Sequence, residues 1–169
     1  VDEIIKINRK FDNILEIGIG SGIISITLNL ELDSKVLGVD INKKAIELSK
    51  KNAESLNATN VEFIYSDLYE NVNSKYDLIV SNPPYIDKKD FDSLETKILK
   101  EPRSALFGGD DGLYFYRKII NQASDYLNED GMLAFEIGYN QRESIFEILD
   151  ENGFENHYCI KDFNGFDRV

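Results

Sequence analysis

Apolar and polar positions alternate along this chain in two periods, and the period switches several times. Short apolar runs bounded by glycine, asparagine or aspartate read as buried strands. Stretches with apolar residues at every third or fourth position read as helices with one packed face. On this basis Asn13–Ile17 is a strand, Gly18–Gly22 a turn and Ile23–Leu32 a helix. Lys35–Val39 is a second strand ending in Asp40. Lys43–Leu56 is an amphipathic helix with Ala45, Ile46, Leu48, Ala53 and Leu56 available for one face. Val61–Tyr65 is a third strand closed by Ser66 and Asp67, and Tyr76–Val80 a fourth. Leu113–Leu127 predicts a long helix and Met132–Ile137 a fifth strand. Arg142–Asn152 predicts a helix stopped by Gly153 as its C′ residue, and His157–Ile160 a sixth strand. The stretch from Pro83 to about Asp111 lacks a period, apart from helical character around Asp92–Leu99. A connection of that length is usually functional, so it reads as a substrate-facing segment.

Strands alternating with helices imply an α/β fold with a mostly parallel central sheet flanked by helices. Ligands in such sheets bind beyond the carboxyl ends of the strands, near the point where strand order reverses. Three of those ends carry an acid or an amide: Asp40, Asp67 and Asn82. The first carries glycines instead.

Composition narrows the partners more than the fold. At 169 residues the chain reads as a single domain spanning 1–169, large enough for a proper core. No apolar run approaches a membrane span of roughly 18 residues, and "VDEIIKINRK" lacks the apolar core of a signal peptide. The lone cysteine, Cys159, precludes an internal disulfide and fits the reducing cytoplasm. The single histidine, His157, has no cysteine or histidine at ligand spacing, so no metal site is expected. Thirty-one acids against 19 bases leave a net charge of −12. A phosphate backbone would repel that surface, so no direct nucleic-acid partner is expected; with no apolar run of spanning length, no membrane partner is expected either. The lysine pairs at 43–44, 50–51 and 88–89 sit beside acids and read as solvated surface.

The turn after the first strand, "EIGIGSG", carries the first chemical signal. Glycines there permit a sharp turn and a close approach of backbone to ligand. The dinucleotide fingerprint would need glycine at position 23, where Ile23 stands; the third glycine comes one residue early. The G-x-G-x-G loop formed by Gly18, Ile19, Gly20, Ser21 and Gly22 resembles motif I of the class I S-adenosylmethionine methyltransferases. A helix-start turn whose glycines serve packing alone is the other reading. Asp40 is placed to accept from both ribose hydroxyls, or else to cap the helix from Asn42. Asp67 is placed to accept from an adenine amino group, with Leu68 supplying a backbone N–H and an apolar wall, or else it is a turn aspartate. On successive strand ends these residues outline a nucleoside pocket.

The fourth strand runs into Asn82-Pro83-Pro84-Tyr85. A planar amide or aryl amine is a poor nucleophile because its nitrogen lone pair is delocalised. Two acceptors aimed at its N–H bonds orient the nitrogen and favour a more pyramidal geometry. The Asn82 side-chain carbonyl is one acceptor and the Pro83 backbone carbonyl the other, held by two fixed φ angles. Tyr85 walls in the planar group. Alignment against a sulfonium supplies much of the rate, so no strong base is needed. The same four residues suit exocyclic amines of adenine or guanine as well as glutamine amides.

Downstream, "LKEPRSALFGGDDGLYFYRKII", "GMLAFEIGYNQ" and "DFNGFDRV" resemble the HemK/PrmC family of protein-(glutamine-N5) methyltransferases over nearly the whole chain. That resemblance implies S-adenosyl-L-methionine as cofactor. The implied substrate is the glutamine of the Gly-Gly-Gln motif in peptide chain release factors, and a sister branch acts on a ribosomal protein. It assigns Gly18–Gly22 to the methionine part of the cofactor, Asp40 to the ribose, and Asp67 with Leu68 to the adenine. Asn82, Pro83, Pro84 and Tyr85 bind the glutamine, with Asn82, Pro83 and Tyr85 catalytic and Asn82 also touching the cofactor. Glu101, Pro102 and Arg103 are expected to hold the substrate loop together, with Arg103 and Glu136 a candidate ion pair. The resemblance implies an N-terminal helical domain ahead of "VDEIIKI" and a last strand that would scarcely begin at "DRV". The expectation is a cytoplasmic, monomeric catalytic domain trimmed at both ends. The alternatives are an N6-adenine or guanine-N2 nucleic-acid methyltransferase, a glutamine methyltransferase acting on a ribosomal protein, and a cofactor-binding interaction module that has lost catalysis.

Overall fold

A computed structural model describes residues 1–93 and 105–169. The chain forms two compact units, Val1–Ser81 with Ala123–Ala134, and Asn82–Gln122 with Phe135–Val169. Its elements run α1 (Asp2–Lys6), β1 (Asn13–Ile17), α2 (Ile23–Leu32), β2 (Lys35–Asp40), α3 (Lys43–Leu56), β3 (Val61–Tyr65) and β4 (Tyr76–Ser81). They continue through α4 (Lys88–Ser93), α5 (Tyr114–Tyr126), β5 (Leu127–Phe135) and α6 (Arg142–Glu151).

The first unit is built on the sheet, in the order β3-β2-β1-β4-β5. β1 pairs in parallel with β2 and β4, and β2 in parallel with β3. Strand order therefore reverses at β1, which ends at Ile17 beside Val39 of β2 and Ser81 of β4. A strand flanked on both sides in a parallel sheet is covered on both faces, which explains the unbroken apolar runs. Ile14, Leu15, Leu78 and Ile79 are fully buried. One core layer gathers Phe11, Ile14, Leu28, Val36 and Leu78, and another Ile19, Ile26, Ile46 and Phe63. Asp77 ties the other ends of the strands together. Its carboxylate accepts from the Asp12 and Asn13 amides at 2.8 and 2.9 Å and from the Asn128 side chain at 2.7 Å.

Three sequence expectations shift, and one helix is not expected from the sequence at all. The short leading helix α1 has too few periods to be read from its pattern. β5 begins at Leu127, five residues ahead of the expected Met132 (132 − 127). Its polar opening, Asn128-Glu129-Asp130-Gly131, mimics a turn, and Asp130 does adopt φ +59°; the bond from Asn128 to Asp77 nevertheless holds this stretch beside the start of β4. His157–Ile160 is not a sheet strand. Instead Ile160 pairs with the tail that follows it, donating to the Val169 carbonyl at 2.6 Å and accepting from the Arg168 amide at 3.0 Å. The turn between them is closed by Asp162, whose carboxylate accepts from Asn164 and Phe166 amides at 2.9 and 3.0 Å. The helical character expected at Asp92–Leu99 begins earlier, in α4, and positions 94–99 lie outside the described residues. Gly153 does stop α6. It adopts φ +76°, and the Phe154 amide returns to the Leu149 carbonyl at 3.0 Å.

Candidate active site

In the first unit, the turn after β1 holds Gly18, Gly20 and Gly22 at φ +79°, +53° and +77°. The two readings of this loop divide among the glycines. A Cβ at Gly18 or Gly20 would meet nothing within 4 Å, so backbone conformation and open approach require glycine there. A Cβ at Gly22 would lie 2.7 Å from the Ser49 Cβ and 3.0 Å from the Phe63 ring, so packing on α3 and β3 also requires it. The Ile19 side chain points into the core, at 3% exposure. Helix α3 holds the turn from outside: Asn52 donates to the Ser21 carbonyl at 2.9 Å and Ser49 to the Gly20 carbonyl at 3.3 Å.

Asp40 is not the cap of α3. Asn42 occupies that position and accepts from the Lys44 amide at 3.0 Å. The Asp40 carboxylate instead accepts from the Gly20 amide at 3.2 Å with one oxygen and from the Asn42 amide at 2.8 Å with the other. Each oxygen keeps further acceptor capacity. The Ser66 amide donates to the Asp40 carbonyl at 3.1 Å, which carries the end of β3 to the end of β2. Beyond it, Asp67 is exposed and Leu68 half-buried. Leu68 sits at φ +50°, an uncommon conformation for a leucine, and Ser66 supports it by donating to its carbonyl at 2.8 Å.

Sequence reasoning passed over Glu16. It is the one charged residue in the β1 run "NILEI" and is 1% exposed. Its carboxyl accepts from the Ser25 amide at 2.8 Å and from the Ser25 hydroxyl. Gly22 offers α2 no side-chain cap, and Glu16 serves that first turn from the neighbouring strand. Burial pushes its pKa up to about 8, against the lowering effect of Ser25. The signal available in the sequence was a lone acid inside an otherwise apolar strand.

In the second unit, Asn82 is exposed, Pro83 buried, and Pro84 and Tyr85 half-buried. Ile86 then bridges to Phe107, donating to the Leu106 carbonyl at 3.0 Å and accepting from the Gly108 amide at 2.9 Å. The Gly-Gly-Asp-Asp-Gly turn lies against the loop. A Cβ at Gly108 would stand 2.7 Å from the Pro84 carbonyl oxygen, and one at Gly112 would collide with the Tyr85 carbonyl. Gln141 donates to that same Tyr85 carbonyl at 3.0 Å. Behind it, Tyr116 is fully buried and donates to the Glu136 carbonyl at 2.7 Å. Burial, with Tyr85 and Glu136 nearby, holds the Tyr116 phenol above its ordinary value. Glu101, Pro102 and Arg103 lie outside the described residues, and with them the expected Arg103–Glu136 pair.

Each unit thus assembles its own share of the expected residues. The turn, Asp40 and Asp67–Leu68 are linked in one, and Asn82–Tyr85 is held in the other. Ser81, whose hydroxyl donates to the Ile17 carbonyl at 2.7 Å, is the last residue before Asn82. Among the described residues no group of three or more His, Cys, Asp or Glu side chains is placed to hold a metal ion, and no helix is long and apolar enough to cross a membrane.

A family model described as "methyltransferase small domain" matches residues 3–112. A release factor glutamine methyltransferase of Fusobacterium nucleatum is 46% identical over 175 residues, covering 100% of this chain and 49% of that protein. One of the same name from Geobacter sulfurreducens is 42% identical, over 92% of this chain and 56% of that protein. This chain spans about half the length of these relatives. A methyltransferase crystal structure from Pyrococcus furiosus shares the fold at a TM-score of 0.73 and 23% identity, covering 99% of this chain and 77% of that one.

Proposed function

Because the chain belongs to the methyltransferase small domain family, we propose that it methylates the side-chain amide nitrogen of the glutamine in the Gly-Gly-Gln motif of peptide chain release factors, using S-adenosylmethionine. The observation that carries this reading is the Asn82–Tyr85 loop, whose Tyr85 carbonyl is fixed by Gln141 and whose flank is cleared by Gly108 and Gly112. Its relatives' name, release factor glutamine methyltransferase, supports the choice of amide. So does the net charge of −12, which disfavours a nucleic-acid substrate.

The first unit has features that suit the cofactor. Gly18 and Gly20 leave open space where side chains would stand, and Asp40 and Asp67 provide carboxylates that accept from ribose hydroxyls and from an amino group. Leu68 offers the base an apolar edge. When bound, the cofactor supplies a methyl carbon on a positively charged sulfur that leaves as a neutral thioether.

The loop prepares the nucleophile. Asn82 Oδ1 and the Pro83 carbonyl accept the two N–H bonds of the glutamine amide and draw its lone pair out of conjugation. The two prolines, lacking φ freedom, keep that pair of acceptors in place before the substrate arrives. Tyr85 walls the amide plane. After alkylation the nitrogen carries a surplus proton acidic enough to pass to water, so the loop needs no strong base. The site of action is the cytoplasm, where translation ends, and the chain acts as a monomer.

Incubation with labelled cofactor and candidate release factors tests the reading. Label is expected on the glutamine and absent after its change to alanine. Label that persists on the altered factor contradicts the proposed substrate.

A further inference from the structure

Gln141 occupies the N-cap position of α6, yet its side chain caps nothing there. Ser, Thr, Asp and Asn are the residues that favour such a position, because they reach the free amides of the first turn. Gln141 reaches the other way. It is 8% exposed and every polar atom of its side chain is used. Oε1 accepts from the Gly138 amide at 2.9 Å, and Nε2 donates to the Tyr85 carbonyl at 3.0 Å and to the Gly112 carbonyl at 3.2 Å. Two carbonyls can only accept and an amide N–H can only donate, so the partners alone fix which end is nitrogen.

The surroundings are shaped for this amide. A Cβ at Gly112 would stand 2.6 Å from Nε2, and one at Gly138 would stand 2.8 Å from Oε1. Gly112 also holds φ +74°, which turns its carbonyl-bearing segment without a side chain in the way. Three segments far apart in sequence therefore meet on one planar group: the loop at Tyr85, the turn at Gly112 and the strand end at Gly138.

We infer that Gln141 is a positioning residue for methyl transfer: by holding the Tyr85 carbonyl it fixes the Asn82–Tyr85 loop in the conformation that presents the Asn82 and Pro83 acceptors. It acts through the loop and touches neither substrate. Two prolines restrict the middle of the loop, but the peptide after Tyr85 has no ring to restrict it; its N–H is held by the Leu106 carbonyl and its carbonyl by Gln141. A glutamine serving stability alone would leave turnover at saturating substrate unchanged in molecules that remain folded.

The inference rests on the proposed amide chemistry, and the test separates the two. Gln141→Glu in the full chain keeps an acceptor for Gly138 and replaces both donors by a carboxylate oxygen facing two carbonyls. Losing two buried donors is expected to lower kcat on a release factor about tenfold or more, with the cofactor KM within about twofold of the parent. In hydrogen exchange, the Ile86 and Gly108 amides are expected to exchange about tenfold faster, while those of β1 and β2 keep their protection. Should Gln141→Glu not fold, Gln141→Asn, which keeps the amide but shortens its reach, carries the same expectations. Unchanged kcat in a folded variant overturns the inference, as does unchanged exchange at Ile86 and Gly108. If the parent methylates no glutamine, the proposed function fails, and exchange alone decides the role of Gln141.

Discussion

The turn at Gly18–Gly22 and the loop at Asn82–Tyr85 do similar work by different means. In the proposed function each presents polar backbone to a ligand from the end of a strand. The glycine turn is held by its immediate surroundings: β1 below it, Asp40 from the adjoining strand, and Ser49 and Asn52 from the next helix. The proline loop is held by residues 56 positions away at Gln141 and by the turn at Gly108–Gly112. A nucleoside pocket can be made from consecutive strand-turn-helix pieces, because each piece contributes one ligand group where it ends. Fixing a carbonyl pair for a small planar amide takes distant segments, because a short loop cannot supply its own rigid frame.

The largest expected difference between the two regions comes from one substitution made in both. Gly112→Ala places a Cβ against the Tyr85 carbonyl and the Gln141 amide, in a backbone conformation already unfavourable for alanine. Loss of roughly 2–4 kcal/mol of stability, with turnover reduced further than stability requires, is expected from urea titration and initial rates. Gly18→Ala has the same positive φ but open space around it, so about 1 kcal/mol of backbone strain is expected, with weakened cofactor binding as its main effect. Equal losses at the two sites would erase the contrast.

Glu16 sharpens it from the other side, since it serves the glycine half alone. Its pKa of about 8 in the native state lies above its ordinary 4.5, so the folded chain holds a proton that the unfolded chain has released. Between those two values the unfolded state binds fewer protons, and stability contributed by this group falls as pH rises. Relative to Glu16→Gln, the parent is expected to lose up to about 1.4 kcal/mol per pH unit across that window, read from urea unfolding at several pH values. Parallel pH profiles would show that Glu16 is ionised in the folded chain.

A smaller effect is expected at Asp40. On the proposed reading its removal takes away the ribose acceptors, and it frees the Gly20 amide, so Asp40→Ala is expected to weaken cofactor binding about tenfold by calorimetry. Binding of the release factor is expected to stay unchanged.

How much of this was legible follows from the same contrast. β1, α2 and α3 have the bounds their patterns predict, because apolar period and flanking glycine or aspartate act within a few residues. Asp40 and Asp67 could be placed at strand ends for that reason. What the pattern could not carry was tertiary. The start of β5 is set by Asn128 reaching Asp77, and Ile160 pairs with Val169 instead of a sheet neighbour. Glu16 reads as an interruption until Ser25 is seen against it, and Gln141 has no visible role until three carbonyl and amide partners converge on it.

The most direct measurement is a crystal structure of the chain with S-adenosylhomocysteine and a Gly-Gly-Gln peptide. The glutamine amide nitrogen is expected within hydrogen-bond distance, about 2.7–3.2 Å, of both Asn82 Oδ1 and the Pro83 carbonyl. A glutamine bound elsewhere, or an amide nitrogen that meets neither oxygen, would contradict the assignment of this loop.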